Sequence, residues 1–229
     1  MLVIFDCDGV LVDSELLANR CFAAALARIG LPWSVEETMR RLVGRSMSSC
    51  VAIIEGETGR KLPENFLAEL QAETFASFRS TPVQPVAGVG DVLDRLDAHA
   101  IAYCVASSGE IEKMRLTLGI TGLLGRFDGR MFSAAMVPRG KPFPDLFQHA
   151  AREMGADPAD CVVIEDAVAG VQAGSAAGMR VLAYAGAAHA DHAGLQEAGG
   201  VLFERMDDLP RLLGIPASSA ERRGPNILR

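Results

Sequence analysis

The sequence has no C-x-x-C pair: its five cysteines, Cys7, Cys21, Cys50, Cys104 and Cys161, are odd in number and scattered. That spacing excludes a zinc ribbon or a redox dithiol and fits free thiols in a reducing cytosol. Basic runs are equally scarce, with 22 Lys and Arg against 29 Asp and Glu and a formal net charge of -7. Binding a nucleic-acid backbone needs clustered cations, so this balance argues against a nucleic-acid partner. Only the tail ERRGPNILR (221–229) gathers positive charge, and it reads as a solvated terminus. The start MLVIFD reaches an acidic residue after four apolar ones, with no basic region before them and no cleavage site after, so no secretory signal is expected. The long stretch from Ala167 to Ala188 is interrupted by Gln172, Ser175 and Arg180. It predicts a buried helix followed by a strand, not a membrane span. Gly170, Gly174 and Gly178 share one face of that helix, and the acidic pair just before it favours packing on a sheet over pairing in a membrane.

What the sequence has is 49% hydrophobic and 22% charged residues over 229 positions, ample for a packed interior. Short apolar runs recur: LVIF (2–5), IAYCVA (101–106), CVVIE (161–165) and RVLAYA (180–185), with VLFE (201–204) as a further candidate. Runs apolar at consecutive positions suit strands buried on both faces. Helical stretches lie between them, so the pattern predicts an α/β fold: a Rossmann-like parallel sheet covered by helices on both faces. After the first run the pattern turns purely helical, with segments expected at 15–30, 34–43, 46–58 and 63–79 and breaks at Pro32, Gly44, Gly59 and Pro63. Pro82 and Pro85 mark the return, and AGVGDVLDRLDAHA reads as a core helix. The expected division is a catalytic core of 1–14 with 82–229 and a helical cap of 15–81.

In an open parallel sheet, ligands sit beyond the carboxyl ends of the strands. The residues following the apolar runs there are Asp6-Cys7-Asp8-Gly9, Ser107-Ser108-Gly109 and Glu165-Asp166, with Lys141 in the loop RGKPFPDLF. Four carboxylates converging at one edge repel one another unless a cation joins them, and hard oxygen ligands suit Mg2+. An aspartate beside such a cation can attack a polarised phosphorus atom, the role assigned to Asp6. A carboxyl two residues on, Asp8, can protonate the leaving oxygen and then activate water. Ser107, the backbone N–H groups near Ser108 and Gly109, and Lys141 supply donors for the charge that spreads over phosphoryl oxygens. Each feature alone has an ordinary structural explanation: an Asp-x-Asp-Gly turn, a helix cap at Ser107, a solvated lysine, an acidic helix start. Their joint order at strand ends favours the catalytic explanation.

DCDGVLVDSE (6–15), ASSG (106–109), GKPFPD (140–145) and VVIEDAVAG (162–170) resemble, in order, the four motifs of the haloacid dehalogenase superfamily. The subgroup resembled contains beta-phosphoglucomutase and small sugar-phosphate phosphatases, whose helical cap follows the first motif. The resemblance implies Asp6 as nucleophile and metal ligand, and Asp8 as acid/base binding the metal through its carbonyl. It further implies Asp166 as a ligand and Glu165 as a ligand or a residue just behind one. Ser107 and Lys141 would hold the phosphoryl group. An aspartate at 8 speaks against carbon–halogen cleavage. Ala18 stands where the mutase has a cap histidine, and the helix expected at 15–30 has no lysine for Schiff-base phosphonate chemistry, so a phosphatase is favoured. A beta-phosphoglucomutase-type mutase and a non-catalytic binding or regulatory role are the alternatives.

Cap residues expected to face the substrate are Glu15, Asn19, Arg45 and Ser46, with Arg45 able to grip a distal carboxylate or second phosphate. The resemblance of SELLANR (14–20) to bacterial phosphatases implies a small phosphorylated metabolite, such as a hexose phosphate or 6-phosphogluconate. The expected state is a cytoplasmic monomer or weak homodimer with no membrane partner.

Overall fold

The structure, a computed structural model, describes residues 1–187 and 190–216, so the basic tail lies outside the described residues. The chain opens with β1 (Leu2–Phe5) and β2 (Val12–Asp13), then runs through four helices, α1 (Glu15–Arg28), α2 (Val35–Leu42), α3 (Met47–Thr58) and α4 (Phe66–Ser80). It returns through β3 (Gln84–Pro85), α5 (Val89–Ala98), β4 (Ala102–Ser107), α6 (Ile111–Ile120), α7 (Leu124–Phe127) and β5 (Met131–Ser133). The second half continues as α8 (Asp145–Glu153), β6 (Cys161–Glu165), α9 (Val168–Ala176), β7 (Arg180–Tyr184), α10 (His192–Glu197), β8 (Val201–Phe203) and α11 (Leu209–Leu212).

Six strands form one parallel sheet in the order β5-β4-β1-β6-β7-β8. Successive residues alternate between two buried layers. Val3 and Phe5 join Tyr103, Val105, Val162 and Ile164 on one face, while Leu2 and Ile4 join Cys104, Ala106, Cys161 and Val163 on the other. Burial on both faces explains why these strands are continuous apolar runs. The chain leaves β1 toward β4 and later leaves β6 toward β7, so the crevice where direction switches opens between the ends of β1 and β6. The four-helix insert holds its own cluster, including Phe22, Leu26, Leu42, Ile54, Phe66 and Leu70. Where the insert leaves and rejoins the sheet layer, β2 and β3 pair antiparallel, Val12 opposite Pro85.

Two expectations need correction. Gly170 and Gly174 do pack closely on the sheet, since a Cβ at Gly174 would stand 2.7 Å from Val181 Cγ2. Gly178 does not: it lies beyond α9 with φ of +75° and nothing within 4 Å of a Cβ, so it serves the turn and not the packing face. Ser46, expected to face substrate, caps α3 by accepting from the Ser49 N–H. Among the described residues no helix is long and apolar enough to cross a membrane.

The close approach at Gly174 yields a comparison with exposed Gly56 inside α3, where a Cβ meets nothing within 4 Å. Gly174→Ala is expected to destabilise by about 1–3 kcal/mol through overpacking, and Gly56→Ala to stabilise by about 0.5–1 kcal/mol. Urea unfolding followed by circular dichroism checks both; equal effects would contradict the packing described.

Candidate active site

Each candidate side chain reaches the crevice for a local reason. The Asp6 N–H donates to the Ile164 carbonyl at 2.9 Å, extending the β1–β6 ladder by one residue and holding Asp6 at its end. The chain then folds tightly, with the Leu11 and Val12 N–H groups both donating to the Cys7 carbonyl. Gly9 lies in this fold with φ of +82°, and a Cβ there would fall 2.0 Å from Asp166 Oδ2. Only glycine meets both demands, so the turn after β1 and the carboxylate after β6 are brought into direct proximity.

Lys141 is buried and bridges two carboxylates, its Nζ donating to Asp6 Oδ1 at 2.5 Å and to Glu165 Oε1 at 2.6 Å. The other oxygen of Glu165, Oε2, accepts from the Asp166 and Ala167 N–H groups, each at 2.9 Å. Glu165 has no exposed surface and lies against Gly170, where a Cβ would come within 1.8 Å of Oε1. Of the two expectations for Glu165, ligand or residue behind one, this geometry fits the second: both oxygens are engaged and the side chain points under α9. Asp8 is clamped differently. Its Oδ1 accepts from the Ser14 hydroxyl at 2.5 Å and its Oδ2 from Lys113 Nζ at 2.9 Å. Lys113 was not among the residues read from the sequence.

Ser107 is buried, and its Oγ accepts from the Gly109 N–H at 3.0 Å, so that one backbone donor is already turned inward. The Ser133 hydroxyl donates to the Gly109 carbonyl at 2.8 Å and holds the loop from the β5 side. Ser108 faces the insert, its hydroxyl donating to the Gly44 carbonyl at 2.9 Å. Between core and insert lies a cavity of about 580 Å³. Asp6, Asp8, Asp166, Ser107, Ser108, Gly109 and Lys113 line it from the core, and Glu15, Ala18, Asn19 and Arg45 are among those lining it from the insert.

The electrostatics are unbalanced. Burial pushes the Asp6 carboxyl up to about 8 against the pull of Lys141, with Glu165 and Asp8 adding to the rise. Burial raises Asp166 well above the carboxylate range, and the charges of Glu15, Glu165 and Asp6 raise it further. Burial would raise Asp8 too, but Lys113 and Ser14 outweigh it and hold this carboxyl low. Lys141 rises despite burial because Asp6 and Glu165 surround it. Among the described residues no three His, Cys, Asp or Glu side chains already stand in a metal-binding group, and the two lysines hold Asp6, Glu165 and Asp8. Four carboxyl groups against two ammonium groups leave the site short of positive charge, which is why Asp6 and Asp166 resist ionising, and none of the described residues donates a hydrogen bond to the Asp166 carboxyl. A divalent cation with a preference for oxygen fits that donor set.

Comparison with known proteins identifies the family. The family model of haloacid dehalogenase-like hydrolases matches residues 1–178. The chain is 31% identical over 187 residues to the 6-phosphogluconate phosphatase of Escherichia coli, covering 82% of this chain and 83% of that protein. It is 31% identical over 181 residues to hexitol phosphatase A of the same organism, covering 79% and 81% respectively. A solved haloacid dehalogenase-like protein of unknown function from Agrobacterium tumefaciens superposes with a TM-score of 0.76 at 34% identity, over 93% of this chain and 97% of that one. With the motifs at the strand ends of a matching sheet, the chain belongs to the haloacid dehalogenase-like hydrolases.

Proposed function

We propose that the chain is a magnesium-dependent phosphoric monoester hydrolase that cleaves a small phosphorylated metabolite through an aspartyl phosphate on Asp6. The reading favours a sugar phosphate or phosphosugar acid such as 6-phosphogluconate, in keeping with the named activities of its relatives. The single observation that carries it is the buried Asp6–Lys141–Glu165 bridge, which presents Asp6 to a cavity that Asp8 and Asp166 also line.

Asp6, the Asp8 carbonyl and Asp166 would hold the cation, which when bound would polarise the phosphoryl oxygens and screen them from the nucleophile. Lys141 engages one oxygen of Asp6 and leaves the other to form a bond to phosphorus. Lys141 and the Ser107 hydroxyl stabilise the phosphoryl oxygens as charge spreads over them. The negative charge of the bound phosphate ester offsets the pull of Lys113 on Asp8 and lets its carboxyl take up a proton from water, which it gives to the leaving oxygen as the ester P–O bond breaks. Asp8 then takes a proton from water, whose oxygen attacks phosphorus and frees both inorganic phosphate and the Asp6 carboxylate. Residues 15–81 serve as a cap over this site, with Glu15 and Arg45 on the wall that meets the rest of the substrate. Ala18 lines the same wall, so the cavity has no histidine where the mutase reading needs one. The five free thiols, four of them buried, support work in a reducing compartment such as the cytoplasm.

Asp6→Asn should cut turnover by at least about 1,000-fold while leaving the folded circular-dichroism spectrum intact, since it removes the attacking oxygen at nearly constant volume. Phosphate release from a panel of sugar phosphates measures it, and full activity in the variant would end the proposal. The same assay should read no phosphate in EDTA and recover on adding Mg2+. Release of an isomer without phosphate from a sugar 1-phosphate would instead establish the mutase, and no release from any ester would leave a binding role.

A further inference from the structure

Lys113 occupies a place that helix physics disfavours. It is the third residue of α6, where the unpaired N–H groups carry partial positive charge and a cation is repelled. Its side chain is also withdrawn from solvent, 24% exposed against the cavity, and the paired Asp8 carboxylate is 16% exposed. A lysine that gives up hydration at the wrong end of a helix requires a compensating partner. That partner is Asp8 Oδ2, at 2.9 Å from Nζ. The contact joins residues 105 positions apart and runs from a core helix to the turn after β1.

The surroundings are shaped to this pair. A Cβ at Gly109 would stand 3.4 Å from Lys113 Cδ and 3.7 Å from Asp8 Oδ2, so the missing side chain keeps the space above the pair open to the cavity. On its other oxygen Asp8 accepts from Ser14, whose side chain makes no cap bond to α1. The carboxylate is thus fixed at both oxygens, one contact from α6 and one from the last core residue before the insert.

We propose that Lys113 is a positioning residue that aims the Asp8 carboxyl at the leaving-group oxygen, so that its loss impairs proton delivery to the departing alcohol and little else. This rests on the phosphatase reading above. Lys113 need not touch the substrate; it fixes one of the rotational choices of Asp8, and a proton donor displaced by an ångström delivers poorly. The consequence depends on the ester. An alkyl phosphate needs its leaving oxygen protonated as the P–O bond breaks, whereas p-nitrophenolate leaves readily without a proton.

The test compares Lys113→Met, Lys113→Arg, Asp8→Asn and the Lys113→Met/Asp8→Asn double variant on an alkyl sugar phosphate and on p-nitrophenyl phosphate, with Mg2+ present. Lys113→Met should lower kcat on the alkyl ester by about 100-fold, in line with loss of general-acid catalysis. On p-nitrophenyl phosphate it should lower formation of the phosphorylated enzyme, read as the nitrophenolate burst, by less than about 10-fold, with KM little changed on either ester. Lys113→Arg should retain most alkyl-ester turnover, and the double variant should be no worse than Asp8→Asn alone, because both act through one group. Equal losses on the two esters, a rise in KM on both, or effects of Lys113→Met and Asp8→Asn that multiply would overturn the proposal. Wild-type protein inactive on both esters would instead overturn the phosphatase reading itself. Should Lys113→Met fail to fold, Lys113→Arg and Lys113→Gln carry the same comparison.

Discussion

The buried ammonium of Lys141, shared between Asp6 and Glu165, is the contact on which the arrangement of the crevice depends. An uncompensated charge in this position would be expelled or neutralised, so the three groups persist only together. Glu165 meets the requirement fully: one oxygen takes Lys141 and the other takes two backbone N–H groups from the start of the following loop. The strand end, the loop before α8 and the turn after β1 are therefore tied at one point. Asp6 is left with one oxygen on the lysine and one not engaged there, the condition a carboxylate nucleophile needs.

Around that point the backbone is brought unusually close. Gly9 lets the β1 turn approach Asp166, and Gly170 lets α9 pass over Glu165. These are two separate glycines, one used for its positive φ and its small size, the other for size alone. Both bring a carboxylate of the β6 end against neighbouring backbone, so the negative charge is concentrated by packing and not by sequence adjacency alone. The excess of carboxylate over ammonium at the crevice is a result of this packing.

Much of this was legible in the sequence because its signals are local. Consecutive apolar residues mark β1, β4, β6, β7 and β8, and the polar residues after three of them identify the sheet edge from sequence alone. The strand β5 escaped because Met131 and Phe132 are only two apolar residues before Ser133, too short a run to register. Glu165 and Asp166 could not be told apart by residue type. Strand alternation separates them, since Glu165 shares the face of Val163 and Cys161 that α9 covers. Ser46 reads as a helix cap once its place before α3 is known. Lys113 was invisible because its meaning depends on where Asp8 turns; the one signal was a basic residue in the first turn of a helix.

The position of β1 in the sheet has a consequence for synthesis. It is the first strand made, yet it lies between β4 and β6, and Asp6 finds its partner Lys141 135 residues downstream. A growing chain therefore carries an unneutralised aspartate until Lys141 is made and an unpaired strand edge until translation has passed the sixth strand. Folding of the helical insert, whose contacts are local, can be complete well before that. The helical insert is thus complete while the crevice beside it is not, and the buried bridge closes only when Glu165, the later of its two carboxylates, emerges.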